Sequence, residues 1–534
     1  MNAKTTKRLL AVLLAMMMVL GLAACSKSDD AASDDGNSVT AYVGTNIFGS
    51  LDPVKGAMSY GYDFINNALI KVDPDSNYVA DLATDWSVSD DALTYTFNLR
   101  EGVKFSDGSD FTADDVIFTY ETVKANQANN EDVDLTKLAS VNKLDDYKVE
   151  FKLSDPYSPF LDTTAMLQIV PSDAYDSDKF DKEPIGTGAW KVVQYDTDQQ
   201  IILEANKDCF SGAPKLDRVT LVYMDQEAAF AAAKSGQLDI VMVSPSYAKE
   251  TVEGMTLQSF ETMDVRNVSL PMRPYGEFKD ADGNTVTAGN DVTADKAVRQ
   301  ALSIGIDRQT IIDNAFNGVG VPAVNFTDNL LWASTNNFTD NRLNEAKGIL
   351  EDAGWTVGAD GVRTKDGKTC EFDVYAPGGD QDRYALAEAL ADNAKKLGIK
   401  INVKTASWDE VGTLKNTAGI VWGWGQYSPT VLQSLFMSTD YPPAGYDNVV
   451  GLDSQTVDSQ IKAALSANNQ ADAIANWKLA QDTANAEFPY LYLVNIRHCY
   501  FVKGGLDISM DTQIPHPHGH GSPIINNMQD WSLS

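Results

Sequence analysis

An unbroken apolar run from Leu9 to Leu20 follows Lys4, Lys7 and Arg8, and it sets the conditions under which the rest of the chain folds. Its twelve residues fall short of the roughly 20 that span a bilayer. The order of charged, apolar and small residues, closing on Gly21, Ala23 and Ala24, is that of a secretory leader, so residues 1–24 are an address and not part of the fold. Leu22-Ala23-Ala24-Cys25 also resembles the bacterial lipobox, which implies cleavage before Cys25 and lipidation of that residue. A diacylated cysteine carries the two chains that stable anchoring takes. Residues 25–38 continue as "CSKSDDAASDDGNS", polar and acidic without apolar periodicity, and read as a disordered tether. The remainder of the chain must fold as a water-soluble body outside the membrane.

That body is large and acidic. The chain has 534 residues and a formal charge of −33, and its length calls for more than one lobe. Removing residues 1–24 deletes three cations and no anions, leaving 39 − 75 = −36. A surface of that sign repels phosphate, which excludes a nucleic-acid binder. Cys209, Cys370 and Cys499 are an odd number at wide spacing. They suit neither a disulfide framework nor a zinc site and are expected to be small buried hydrophobes.

Alternating patterns at Thr94–Leu99, Tyr147–Leu153 and Gln199–Ala205 predict half-buried strands. Helical periodicity appears at Thr112–Val123, Asp295–Gly305, Asn344–Gly354 and Asp382–Leu397, the last leading through Gly398 into the strand "IKINVKT". Asp107-Gly108 suits a tight turn, and Thr112 with Asp115 forms a capping-box pattern with the acid at the third helical position. Gly186-Thr187-Gly188 lacks the spacing of a phosphate cradle and leads into a strand pattern. Ser235–Val241 reads as a helix end feeding a strand, a place where a hinge could sit.

Four blocks then occur in order. They are Asp81–Val123 ("DLATDWSVSDDALTYTFNLREGVKFSDGSDFTADDVIFTYETV"), Pro184–Leu221, Ala297–Ala323 and Asn344–Pro377. Together they resemble family 5 of the bacterial extracytoplasmic solute-binding proteins, the receptors of oligopeptide, dipeptide and nickel ABC importers. The resemblance implies an α/β, two-lobed periplasmic-binding-protein-like fold (type II, cluster C) with an extra domain inserted in the first lobe. On that pattern residues 39–80, 186–264 and 493–534 form lobe I, 81–185 the inserted domain, and 265–492 lobe II. It further implies a monomer without cofactor or catalysis, which closes on its ligand by hinge motion and then docks on a membrane permease.

The resemblance also nominates ligand contacts. In peptide-binding relatives an Asp-Pro after a tryptophan-rich strand receives the ligand's amino group. Here the matching stretch, "VWGWGQYSPTVLQSLF", puts Ser428 where the Asp would stand. A hydroxyl cannot make the charge-assisted pair that a carboxylate makes, so the ordinary peptide clamp is altered. Trp422, Trp424, Gln426 and Tyr427 remain as cleft walls, with core packing as the competing role of the aromatic three. Arg383 occupies the place of an arginine offered to the ligand carboxylate, and Tyr60 and Arg273 are nominated by position alone. His516, His518 and His520 alternate in "IPHPHGHGSP" and raise a second reading, a nickel or other metal-chelate binder of the same fold. A third reading, an extracellular hydrolase, finds neither GxSxG nor HExxH in the chain.

Overall fold

The computed structural model describes residues 37–45, 48–56, 64–127, 133–280, 283–326, 330–334, 340–438, 446–514 and 523–534. The leader, Cys25, Tyr60 and His516, His518 and His520 lie outside the described residues.

Strand formation in the inserted region follows the alternation of its sequence. β4 (Ala83–Val88), β5 (Thr94–Leu99), β6 (Leu138–Asp145) and β7 (Lys148–Leu153) form an antiparallel sheet in the order β4-β5-β7-β6. Tyr95, Phe97 and Leu99 alternate inward from β5 and meet Val149 and Phe151 of β7. Phe97 and Phe151 pack edge to face with centroids 5.5 Å apart, a geometry worth about 0.5–1.5 kcal/mol beyond area burial. Helix α1 (Ala113–Ala125) covers this sheet and starts on the expected capping box, Thr112 and Asp115 exchanging both hydrogen bonds. A small hairpin, β2 (Ile70–Val72) with β3 (Tyr78–Ala80), and the short helix α2 (Phe160–Met166) complete the region's face.

The largest sheet of the described residues has eleven strands. Its first half contains β8 (Trp190–Asp196), β9 (Gln200–Ala205), β10 (Arg218–Val222), β1 (Ser38–Tyr42) and β11 (Ile240–Val243). The second half contains β13 (Glu371–Pro377), β14 (Lys400–Ala406) and β15 (Gly419–Trp424). Two long antiparallel strands join the halves, β12 (Met255–Ser269) and β16 (Tyr490–Lys503). One end of this pair meets β11 and the other meets β15. Between Glu261 and Val265 the register slips, the local kink a β-bulge produces. There the Thr262 hydroxyl donates to the Ile496 carbonyl at 2.8 Å. Ser235–Val241 does run from a helix end into β11.

Gly186-Thr187-Gly188 is a backbone crossing. A Cβ on Gly186 would stand 2.0 Å from the Ile65 carbonyl oxygen, and one on Gly188 2.6 Å from that of Phe64. Cys209, Cys370 and Cys499 are free and buried, and burial pushes the Cys370 and Cys499 thiols up to about 12 and about 11.

Candidate functional site

β15 sets the tryptophan-rich segment beside β12, one of the two long strands that join the halves of the large sheet. Its pairing with β12 sets Trp424 opposite Val265 and Trp422 opposite Asn267. The two indoles therefore share a face, with centroids 6.2 Å apart. Trp422 is core: it is 5% exposed and its Nε1 donates to the Ser269 hydroxyl at 3.0 Å. Trp424 is half-buried, and its indole N–H meets no acceptor among the described residues.

Arg383 opens helix α3 (Gln381–Lys395) beside these rings. A cation at a helix N-terminus opposes the dipole, and the structure supplies the compensation. The Asp380 cap accepts from the Asp382 and Arg383 amides at 2.9 and 3.0 Å, while its other oxygen stands 3.1 Å from the Arg383 guanidinium. The same guanidinium donates to the Val421 carbonyl at 3.2 Å and lies over the Trp408 ring, 5.3 Å from its centroid. Burial, helped by neighbouring Arg266, pulls its pKa down to about 10. Arg383 thus braces α3 against β15.

Ser428 is likewise occupied locally. It is buried, and its hydroxyl pairs with that of Thr430 at 3.0 Å. Arg273 binds the Gly451 carbonyl at 3.2 Å and Asp453 at 3.0 Å, so its contacts lie with the 451–453 loop. Gln426 is half-buried.

Beyond Gln426 the segment reaches a cavity of about 570 Å³, within the range of small-molecule sites. One wall comes from the inserted region and the adjoining hairpin: the β2–β3 turn, the β4–β5 turn and the start of α2. The other comes from later in the chain: Trp332, Tyr427, Pro429 and the loop between helices α4 (Gln455–Leu465) and α5 (Gln470–Asn485). Ser158 fastens the walls together, its amide donating to the Leu465 carbonyl at 2.9 Å and its hydroxyl to that of Ala464 at 2.8 Å. The Trp332 indole donates to the Tyr427 carbonyl at 2.8 Å and fixes the second wall.

Asp162 projects from α2 into this space, 7% exposed. The Tyr78 hydroxyl donates to one of its oxygens at 2.5 Å, and no second side chain or amide bonds it among the described residues. Burial lifts the carboxyl to about 7 against the pull of the Tyr78 bond. Asp162, Tyr78 and Trp332 are not among the residues that the sequence nominates. The available signal was one carboxylate inside the apolar "PFLDTTAM".

No group of three or more His, Cys, Asp or Glu among the described residues could hold a metal ion. No helix of the described residues is long and apolar enough to cross a membrane.

Residues 77–445 match the model of bacterial extracellular solute-binding proteins, family 5 Middle. The chain belongs to this family. Family 5 proteins are binders that serve ABC importers from outside the cytoplasm, and the two-lobed architecture is theirs. This chain is 29% identical to Protein XP55 of Streptomyces lividans over 95% of its own length and 93% of that protein's. It is 27% identical to the oligopeptide-binding protein AppA of Bacillus subtilis over 99% of both chains. In three dimensions it superposes on NikZ of Campylobacter jejuni, a complex with Ni(L-His), with a TM-score of 0.74. That match covers 93% of this chain and 99% of the other at 23% identity, and it speaks for the fold.

Proposed function

We propose that this family 5 protein is the lipid-anchored, peptide-capturing receptor of an ABC importer. The observation that carries the reading is the cavity walled on one side by residues 72–95 and 158–162 and on the other by residues 330–332, 427–429 and 467–477. A solute inside it touches the inserted region and lobe II at once, so its binding energy favours the closed arrangement that a permease would read. Asn468 and Gln470 give the lining side-chain amides suited to peptide backbone, and the aromatic rings give apolar walls for side chains. The full-length similarity to an oligopeptide-binding protein supports the same cargo.

A peptide that binds only the folded protein must stabilise it, by about 2.7 kcal/mol at a concentration 100 times its Kd. Melting the protein against a tripeptide library should therefore raise the transition temperature for a subset of sequences. A flat response across the library, with no peptide co-purifying, would overturn peptide capture. Anchoring is tested separately: Cys25→Ala should move the protein from the membrane fraction to the medium, and retention on membranes would refute lipidation at Cys25.

A further inference from the structure

The cavity has a charge pattern that selects among solutes. Asp162 stands in its inner wall and Asp90 at its exposed rim, and none of the lining among the described residues is Lys, Arg or His. The surrounding rings are Tyr78, Tyr95, Trp332, Tyr427 and Trp477. A carboxylate taken out of water is expensive unless a partner repays it, yet among the described residues the one hydrogen bond to Asp162 comes from the Tyr78 hydroxyl. Aromatic faces attract cations, most strongly when the cation is desolvated. A half-open space with a carboxyl in its inner wall, rings around it and no cationic side chain in its described lining is complementary to an organic cation with apolar bulk.

We infer that this cavity selects solutes carrying an alkylammonium group, which seats on Asp162 between the aromatic walls. The inference rests on the reading of the cavity as the solute site and names the chemical class of solute it prefers. Two sources offer that chemistry, the basic side chain of a peptide and a small quaternary amine. Asp162 is the anchor in both cases, and Ser428 takes no part in it.

The titratable groups around Asp162 leave it as the group that changes over the neutral range. Tyr78 on β3, Tyr95 on β5 and Tyr157 ahead of α2 are all held neutral, their hydroxyls pushed up by burial. On the lobe II side the titratable lining residue is Tyr427, and Asp90 stands at the rim.

The test is calorimetric titration of the whole protein with two matched pairs of probes. One pair is Ala-Lys-Ala and Ala-norleucine-Ala, both N-acetylated and C-amidated so that the lysine ammonium is the one charge that differs; the other is choline and its uncharged isostere 3,3-dimethylbutanol. The charged member of at least one pair should bind about tenfold or more tightly than its partner. Asp162→Asn, which keeps an acceptor for Tyr78, should erase the preference. Lowering the pH from about 8 to about 5 should weaken the charged probe at least about tenfold in the unaltered protein, since Asp162 takes up a proton there while the lysine and choline cations do not titrate. This measurement needs no variant to fold.

Equal affinity for charged and neutral members, or a preference that survives both Asp162→Asn and the pH change, overturns the inference and leaves peptide capture standing. Choline binding with no response to any peptide supports the inference and refutes peptide cargo. Binding of none of the four probes overturns the inference, while the tripeptide library still decides peptide capture on its own.

Discussion

Asp162→Asn should make the protein more stable, by an amount that grows as the pH rises to neutrality. The side chain is 7% exposed, and burial lifts its carboxyl to about 7 from an ordinary 3.8. Below about pH 4 both folded and unfolded chains hold the proton, so the group contributes nothing to the balance. Between about pH 4 and pH 7 the unfolded chain releases a proton that the folded chain retains, and stability falls as pH rises. Above about pH 7 the folded protein carries the full cost of an ionised buried carboxylate, about 4 kcal/mol at 1.36 kcal/mol per pH unit. The amide of the Asp162→Asn variant would keep the acceptor for Tyr78 without the charge. The variant should therefore gain up to about 4 kcal/mol at pH 8 and about zero at pH 4. Urea unfolding monitored by circular dichroism, with variant and parent compared at both pH values, measures this directly. A variant equal to or less stable than the parent at pH 8, or a difference of the same size at both pH values, would refute the reasoning.

Three further outcomes are expected from the geometry. Gly186→Ala should cost about 3 kcal/mol or more, because its methyl would stand 2.0 Å from the Ile65 carbonyl; a normal melting temperature would contradict the crossing. Ser158→Ala removes the hydroxyl bond to Ala464, should cost about 1 kcal/mol, and should speed release of a bound peptide in stopped-flow fluorescence, with an unchanged off-rate counting against the clasp. Trp422→Phe should cost about 1 kcal/mol through the lost bond to Ser269, whereas Trp424→Phe, whose N–H has no acceptor among the described residues, should cost clearly less in the same unfolding assay.

The fold was legible wherever a local rule decided the outcome. Thr94–Leu99 alternates and is a strand over those same residues, and Thr112 with Asp115 forms the capping box its spacing predicts. The family blocks carried the two-lobed architecture, which no local pattern encodes. Site residues were harder, because a side chain's task depends on partners remote in sequence. Arg383 reads as a free fork until Asp380, Val421 and Trp408 close around it. Ser428 occupies the expected place of a carboxylate, but its hydroxyl is taken by Thr430. Asp162, Tyr78, Trp332 and Tyr427 converge on one cavity from positions spread over much of the chain. A buried acid in an apolar stretch marks such convergence only after its surroundings are known.

The proposed solute site lies between the β4–β5 turn and the 467–470 loop. Hydrogen exchange of the whole protein, with and without a peptide that shifts its melting temperature, tests it most directly. Slowed exchange is expected together on both walls, in the β4–β5 turn at 88–95 and in the 467–470 loop between α4 and α5. Protection confined to one wall, or found only at a remote place such as the 451–453 loop around Arg273, would contradict it.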